Sequence, residues 1–121
     1  MKIFLPNIKQ QNIIIFDIEY DQSALVQLAL LHLSLPTNTQ ANQPEGMFEL
    51  TKSLNLYVKQ DHLLSDFFKG YTNITDAFLS DNGIDLTVAR TLVHEVVPEN
   101  SLIVSHGLKC DLEVLKHNGF D

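Results

Sequence analysis

The chain has 121 residues, with 8 basic against 15 acidic side chains and a formal net charge of −7. Its length bounds it to one domain, and 45% apolar with 19% charged residues is the composition of a folded core, which excludes disorder as the default. The acidic balance argues against a broad duplex-binding face, which needs a basic patch, but leaves room for nucleic acid met at an acidic cleft filled with cations.

One cysteine, Cys110, permits no internal disulfide and no zinc-type cysteine pair, so a reducing cytoplasm is the expected compartment. The N-terminal residues MKIFLPNIKQQNIIIF are interrupted by Pro6, Asn7, Gln10, Gln11 and Asn12 before any secretory apolar segment forms. The longest apolar run, residues 24–35, has 12 residues, short of the roughly 20 a bilayer requires. No membrane partner is expected.

Residues 13–19 (IIIFDIE) form a β-branched run with both faces apolar until its end, the pattern of a buried central strand. A polar turn at 20–23 leads into a second apolar run, 24–33. The short turn favours a strand antiparallel to the first, with a buried helix as the alternative. Residues 36–46 (PTNTQANQPEG) have loop composition. The alternation in 50–59 (LTKSLNLYVK) predicts a third strand with Leu50, Leu54, Leu56 and Val58 on one face.

From Asp61 the period changes. Short helices are expected over 63–68 and 74–79, separated by Gly70, and a longer one follows, capped by Asp85, carrying Ala89, Leu92, Val93, Val96 and Val97, and stopped by Pro98. Residues 101–105 (SLIVS) read as a further strand, and 108–118 as a final helix with Gly119 at its C-terminal end. The crossover from the third strand makes the SLIVS strand parallel to a neighbour, most simply the first strand.

Side chains at i and i+2 of a strand share a face, so Asp17 and Glu19 point the same way with Cα atoms about 7 Å apart. At the C-terminal end of a parallel strand, where open α/β sheets place ligands, such a pair is costly unless a divalent ion neutralises it. The alternative is a strand emerging into solvent, with wet acids. Asp111 follows the SLIVS strand by six positions at the start of the last helix. It either joins the other two carboxylates or simply complements the helix dipole.

IIIFDIEY resembles the first motif of the DnaQ-like (DEDD) 3′-to-5′ exonucleases, and SLIVSHGLKCDLEVL resembles their second. The stretch between resembles the family's third strand, a loop with a G-I-T-like turn, and its first long helix. The resemblance implies an α/β, ribonuclease-H-like mixed sheet: three antiparallel strands, then a parallel strand reached by a crossover helix. It also implies two-metal hydrolysis at single-stranded DNA or RNA 3′ ends with Mg²⁺ or Mn²⁺, two ions, held by the catalytic carboxylates Asp17, Glu19 and Asp111. Ile18, Tyr20, Tyr71 and Ile74 would line the pocket for the terminal nucleotide, with ordinary packing around the loop as the alternative for Tyr71 and Ile74.

Departures from the motifs are Tyr20 for the usual threonine or serine, Gly107 for asparagine, and Cys110 for an aromatic residue; Gly107 leans toward RNA-trimming relatives. The family's third motif, with its histidine or tyrosine base and fourth aspartate, would fall after Asp121, so the general base is expected to be missing from residues 1–121, a single domain lacking its C-terminal part. None of His32, His62, His94, His106 and His117 has that motif's position, and His106 reads as scaffold. An uncovered SLIVS edge would favour a homodimer or larger assembly. Two rival functions stand beside the nuclease: an inactive module of the same fold binding a nucleic-acid end or a protein, and an unrelated small α/β binding protein.

Overall fold

The computed structural model describes residues 2–4, 9–35 and 46–120; the loop expected over 36–46 lies, apart from Gly46, outside them. The β-branched run becomes β2 (Asn12–Asp21), and the second apolar run becomes β3 (Ala24–Ser34) rather than a helix. They pair antiparallel from Asn12↔Ser34 to Asp21↔Ala24. Gln22 (φ 51°) and Ser23 (φ 80°) turn the chain between them. Two successive left-handed residues are what a two-residue hairpin loop needs to match strand twist, and here the long ladder imposes them without glycine.

β4 (Met47–Tyr57) lies antiparallel beside β3. After the helical crossover, β5 (Leu102–Val104) runs parallel to β2 in the register Ile13↔Leu102, Ile14↔Ile103 and Ile15↔Val104. A further strand not anticipated from the sequence, β1 (Lys2–Phe4), pairs antiparallel with β4, and the sheet order is β1-β4-β3-β2-β5. Three residues beside a proline carry no readable period.

The crossover holds α1 (Asp66–Thr72), α2 (Asp76–Asn82) and α3 (Leu86–Val96), and α4 (Leu108–His117) follows β5. Gly70 does not separate two helices: it lies inside α1, with no atom within 4 Å of where a Cβ would stand. The break falls at Asn73, whose φ of 62° ends the helix. Ser65 and Thr75 cap α1 and α2 by accepting the amides of Phe68 and Phe78, satisfying donors that a helix start leaves free. Asp85 occupies the N-cap position of α3 but makes no side-chain capping bond. Gly119, at φ +86°, takes the left-handed step after α4.

The sheet has two unlike faces. Ile14, Phe16 and Ile18 of β2, with Leu28 and Leu30 of β3, pack against Ala89 and Val96 of α3 and Val114 of α4. Alternation along β2 turns Ile13, Ile15, Asp17 and Glu19 to the opposite face, where Ile13 meets Leu33, Phe48 and Leu50. Leu50 was expected beside Leu54 and Leu56; it sits across the sheet from them because the β3–β4 register slips between His32 and Leu33. That slip leaves Thr51 as an extra residue, and one extra residue inverts the facing of all that follow. Near α1 and α2 a further cluster gathers Val26, Leu64, Phe68, Ile74 and Leu79. No helix among the described residues is long and apolar enough to cross a membrane.

Candidate functional site

The C-terminal ends of β2 and β5 open side by side, and a cleft of about 940 Å³ lies there. β2 supplies Asp17, Glu19, Tyr20 and Asp21, the α1 region supplies Ser65, Phe67, Phe68 and Tyr71, and the end of β5 supplies Val104, Ser105 and His106. This is where a parallel pair in an open α/β sheet offers its ligand site. Among the described residues that line the cleft, none is lysine or arginine.

Asp17 is exposed and Glu19 half-buried, on a strand whose register sets them opposite Ala29 and Gln27 of β3. The Glu19 carboxyl is raised above its ordinary value, first by burial, then by the negative charge of Asp17, then by that of Asp111. Asp111 stands in the first turn of α4 and is buried, at 9% exposure, so it can complement the helix dipole and still act on the strand pair. Its Oδ2 accepts a short hydrogen bond from the Ser105 hydroxyl, and its Oδ1 lies 3.8 Å from the point where a side chain on Gly107 would begin.

No three His, Cys, Asp or Glu side chains among the described residues stand as a ligand set around one point. The three-carboxylate cage that the resemblance implies is not assembled among the described residues, and one oxygen of Asp111 is bonded to Ser105. The donors themselves fit a hard cation: they are carboxylate oxygens, the chemistry that suits Mg²⁺ or Mn²⁺. No lysine or arginine among the described lining residues offsets the charge of Asp17 and Glu19.

The four residues expected to hold a nucleotide divide. Tyr20 and Tyr71 line the cleft, and Tyr71 is 72% exposed. Ile18 contributes to the lining, but its side chain belongs to the core under α3 and α4. Ile74 takes the packing alternative and does not line the cleft: it is buried with Val26, Leu64, Phe68 and Leu79, since the residue after the αL turn at Asn73 drops inward. His106, read as scaffold, is exposed at the cleft, and Cys110 is a free, exposed thiol.

Residues that the sequence reading passed over complete the wall. Asp21, only 6% exposed, accepts hydrogen bonds from the Ser65 amide and the Ser65 hydroxyl, both at 2.8 Å. It thereby fastens the start of α1 to the end of β2. The signal was present: Asp21 continues the i+2 series of Asp17 and Glu19, and Ser65 precedes a helix as a capping residue would. Phe67 had no such signal.

No protein-family model matches the chain, and no curated protein matches it. Solved structures do. Exonuclease I from Methylocaldum szegediense is 20% identical with a TM-score of 0.66, covering 88% of this chain and 23% of that one. E. coli exonuclease I in complex with a dA16 oligonucleotide is 16% identical with a TM-score of 0.65, covering 93% and 25%. The zinc-bound form of an E. coli exonuclease I–ssDNA complex is 16% identical with a TM-score of 0.64, again covering 93% and 25%. The chain spans about a quarter of the length of these proteins. Its mixed sheet, with three long antiparallel strands and a parallel strand reached through helices, is a ribonuclease-H-like α/β fold.

Proposed function

We propose that the cleft belongs to a metal-dependent 3′-to-5′ exonuclease acting on single-stranded nucleic-acid ends. The observation that carries this reading is the placement of Asp17 and Glu19 in the cleft where β2 and β5 end, with the buried Asp111 hydrogen-bonded to Ser105 of the same wall. Likeness in fold to exonuclease I, some of whose structures hold oligonucleotides, supports it.

Asp17, Glu19 and Asp111 would hold the cations, Asp111 directly or through water. Bound divalent ions would supply Lewis-acid activation of water and neutralise the departing 3′ oxygen. The chain's own part is to place acceptors and exclude other partners. Ser105 orients the Asp111 carboxylate. The family resemblance assigns the general base to a third motif that none of the histidines here supplies. A positioned base is worth about 10² to 10⁴ in rate, so this stretch alone is expected to trim slowly.

A second reading has its own observation. Because no ligand trio is assembled among the described residues, the cleft would also suit an inactive module that binds a nucleic-acid end. One experiment separates the two: 3′-end trimming of single-stranded DNA and RNA in Mn²⁺ or Mg²⁺, by the parent and by Asp17→Ala, Glu19→Ala and Asp111→Ala. Trimming that each substitution abolishes in a folded protein supports the nuclease. Trimming indifferent to Asp17 would place the chemistry elsewhere, and binding without trimming would leave the inactive module.

A further inference from the structure

Phe67 and Tyr71 are one helical turn apart on α1, and their rings lie parallel, with centroids 6.3 Å apart and planes within 2°. They are 84% and 72% exposed. A phenylalanine and a tyrosine side by side in water are unusual, since aromatic rings ordinarily supply core or contact area. These two sit on the wall of the same cleft that Asp17 and Glu19 line.

The helix that carries them is held at both ends. Asp21 takes both donors of Ser65 at its start, Phe68 is inserted in the cluster beneath, and Lys69 is tied to Asp76 at 2.6 Å. The rings therefore stand on a fixed platform.

We propose that Phe67 and Tyr71 are a stacking platform for the unpaired bases of a strand whose end lies at Asp17 and Glu19. This deepens, and rests on, the nuclease reading above. With no lysine or arginine among the described lining residues, and with Lys69 engaged by Asp76, the wall offers phosphates no cation of its own. Beyond what cations held at Asp17 and Glu19 supply, the wall's own attraction comes from the ring faces, which match the flat, weakly charged faces of bases.

A duplex keeps those faces inside its own stack and has none to give except at its ends. The site thus takes single strands, with little preference among bases because every base has a π-face. The ring separation of 6.3 Å is less than twice the stacking distance of about 3.4 Å, so no base inserts between the rings. Bases stack on their outer faces.

The test is equilibrium binding of fluorescently labelled oligothymidylate, oligouridylate and a blunt duplex of equal length to the whole chain in Ca²⁺, followed by anisotropy. The variants are Phe67→Leu and Tyr71→Leu, which keep apolar bulk, and Phe67→Trp and Tyr71→Phe, which keep a ring; thermal melts confirm that all fold. Both single strands should bind in preference to the duplex. Each leucine variant should weaken binding about fivefold to 150-fold, the range for loss of one stacked base, and the ring-keeping variants should retain it.

A parent that binds no single strand, or leucine variants that bind as well as the parent, would overturn the platform. So would a parent that self-associates through these rings, shown by leucine variants that lose dimers in sedimentation yet bind strands unchanged. Trimming in Mn²⁺ by the same proteins keeps the two readings apart. Ring-dependent binding without Asp17-dependent trimming sinks the nuclease and leaves the platform; Asp17-dependent trimming with ring-independent binding does the reverse.

Discussion

Replacing Asp21 with alanine should loosen the cleft wall without touching Asp17, Glu19 or Asp111. Asp21 is 6% exposed and its two oxygens accept from the amide and hydroxyl of Ser65 at 2.8 Å each. Hydrogen bonds to a charged acceptor are worth about 1.5–3 kcal/mol each, so losing both removes about 3–6 kcal/mol. Relief from holding a carboxylate out of water returns part of that, and a net loss of about 2–3 kcal/mol is expected. For a chain of 121 residues this lowers Tm by about 8–12 °C.

Asp21→Asn keeps one acceptor oxygen and should fall between. Ser65 passes the interaction on, because its hydroxyl oxygen accepts the Phe68 amide while its proton goes to Asp21. Ser65→Ala should therefore cost more than the roughly 1 kcal/mol of an ordinary N-cap. Urea unfolding of both single variants and the double variant measures the linkage: the two losses should sum to well over the double loss. Additivity within about 0.5 kcal/mol, or an Asp21→Ala protein as stable as the parent, would show that α1 is not fastened through this pair.

Three further outcomes are expected. Glu19→Gln should stabilise the metal-free protein at neutral pH: a carboxyl raised above its ordinary 4.5 contributes stability that is fully present below pH 4.5 and is lost as pH rises through its folded value. The variant's advantage in thermal melts should then vanish in acid, and a variant less stable than the parent at pH 7 would contradict the coupling. His32 shows the opposite sign. It is buried, with no hydrogen-bond partner for Nδ1 among the described residues and Nε2 at 2.9 Å from the Asn12 side-chain oxygen, and burial followed by the charge of Lys52 lowers it below 6.5. Stability should be complete above pH 6.5 and decline as pH falls through the lowered value, a slope that His32→Leu should flatten. Glycines give a paired contrast: a Cβ on Gly83 would meet the Leu79 oxygen at 2.6 Å and the Lys59 nitrogen at 2.9 Å, both backbone, whereas one on Gly70 meets nothing within 4 Å. Gly83→Ala should cost about 1–3 kcal/mol in urea unfolding, and Gly70→Ala, inside α1, should gain about 0.5–1 kcal/mol.

What the sequence made legible was what period and connectivity alone decide. The run IIIFDIE specified a buried strand because both its faces are apolar, the short polar turn made its neighbour antiparallel, and a helical crossover left β5 parallel to β2. Those three inferences suffice to bring Asp17, Glu19 and the start of α4 to one edge of the sheet. Where the reading failed, a single residue had broken a period. One extra residue at Thr51 carried Leu50 to the other face, and an αL step at Asn73, rather than Gly70, ended α1 and sent Ile74 inward.

The same limit explains the site. Alternation along β2 announced the face shared by Asp17 and Glu19, but a bond such as Ser105 to Asp111, or the stacking of Phe67 on Tyr71, depends on rotamers and on how α1 and α4 approach the sheet. Composition cannot report these. Aromatic residues on a helix read equally as core or surface until the helix's inward face is known. Here Phe68 takes the inward place, and its occupancy is what turns Phe67 out over the acidic strand. The placement of one phenylalanine thus decides what its neighbour can bind.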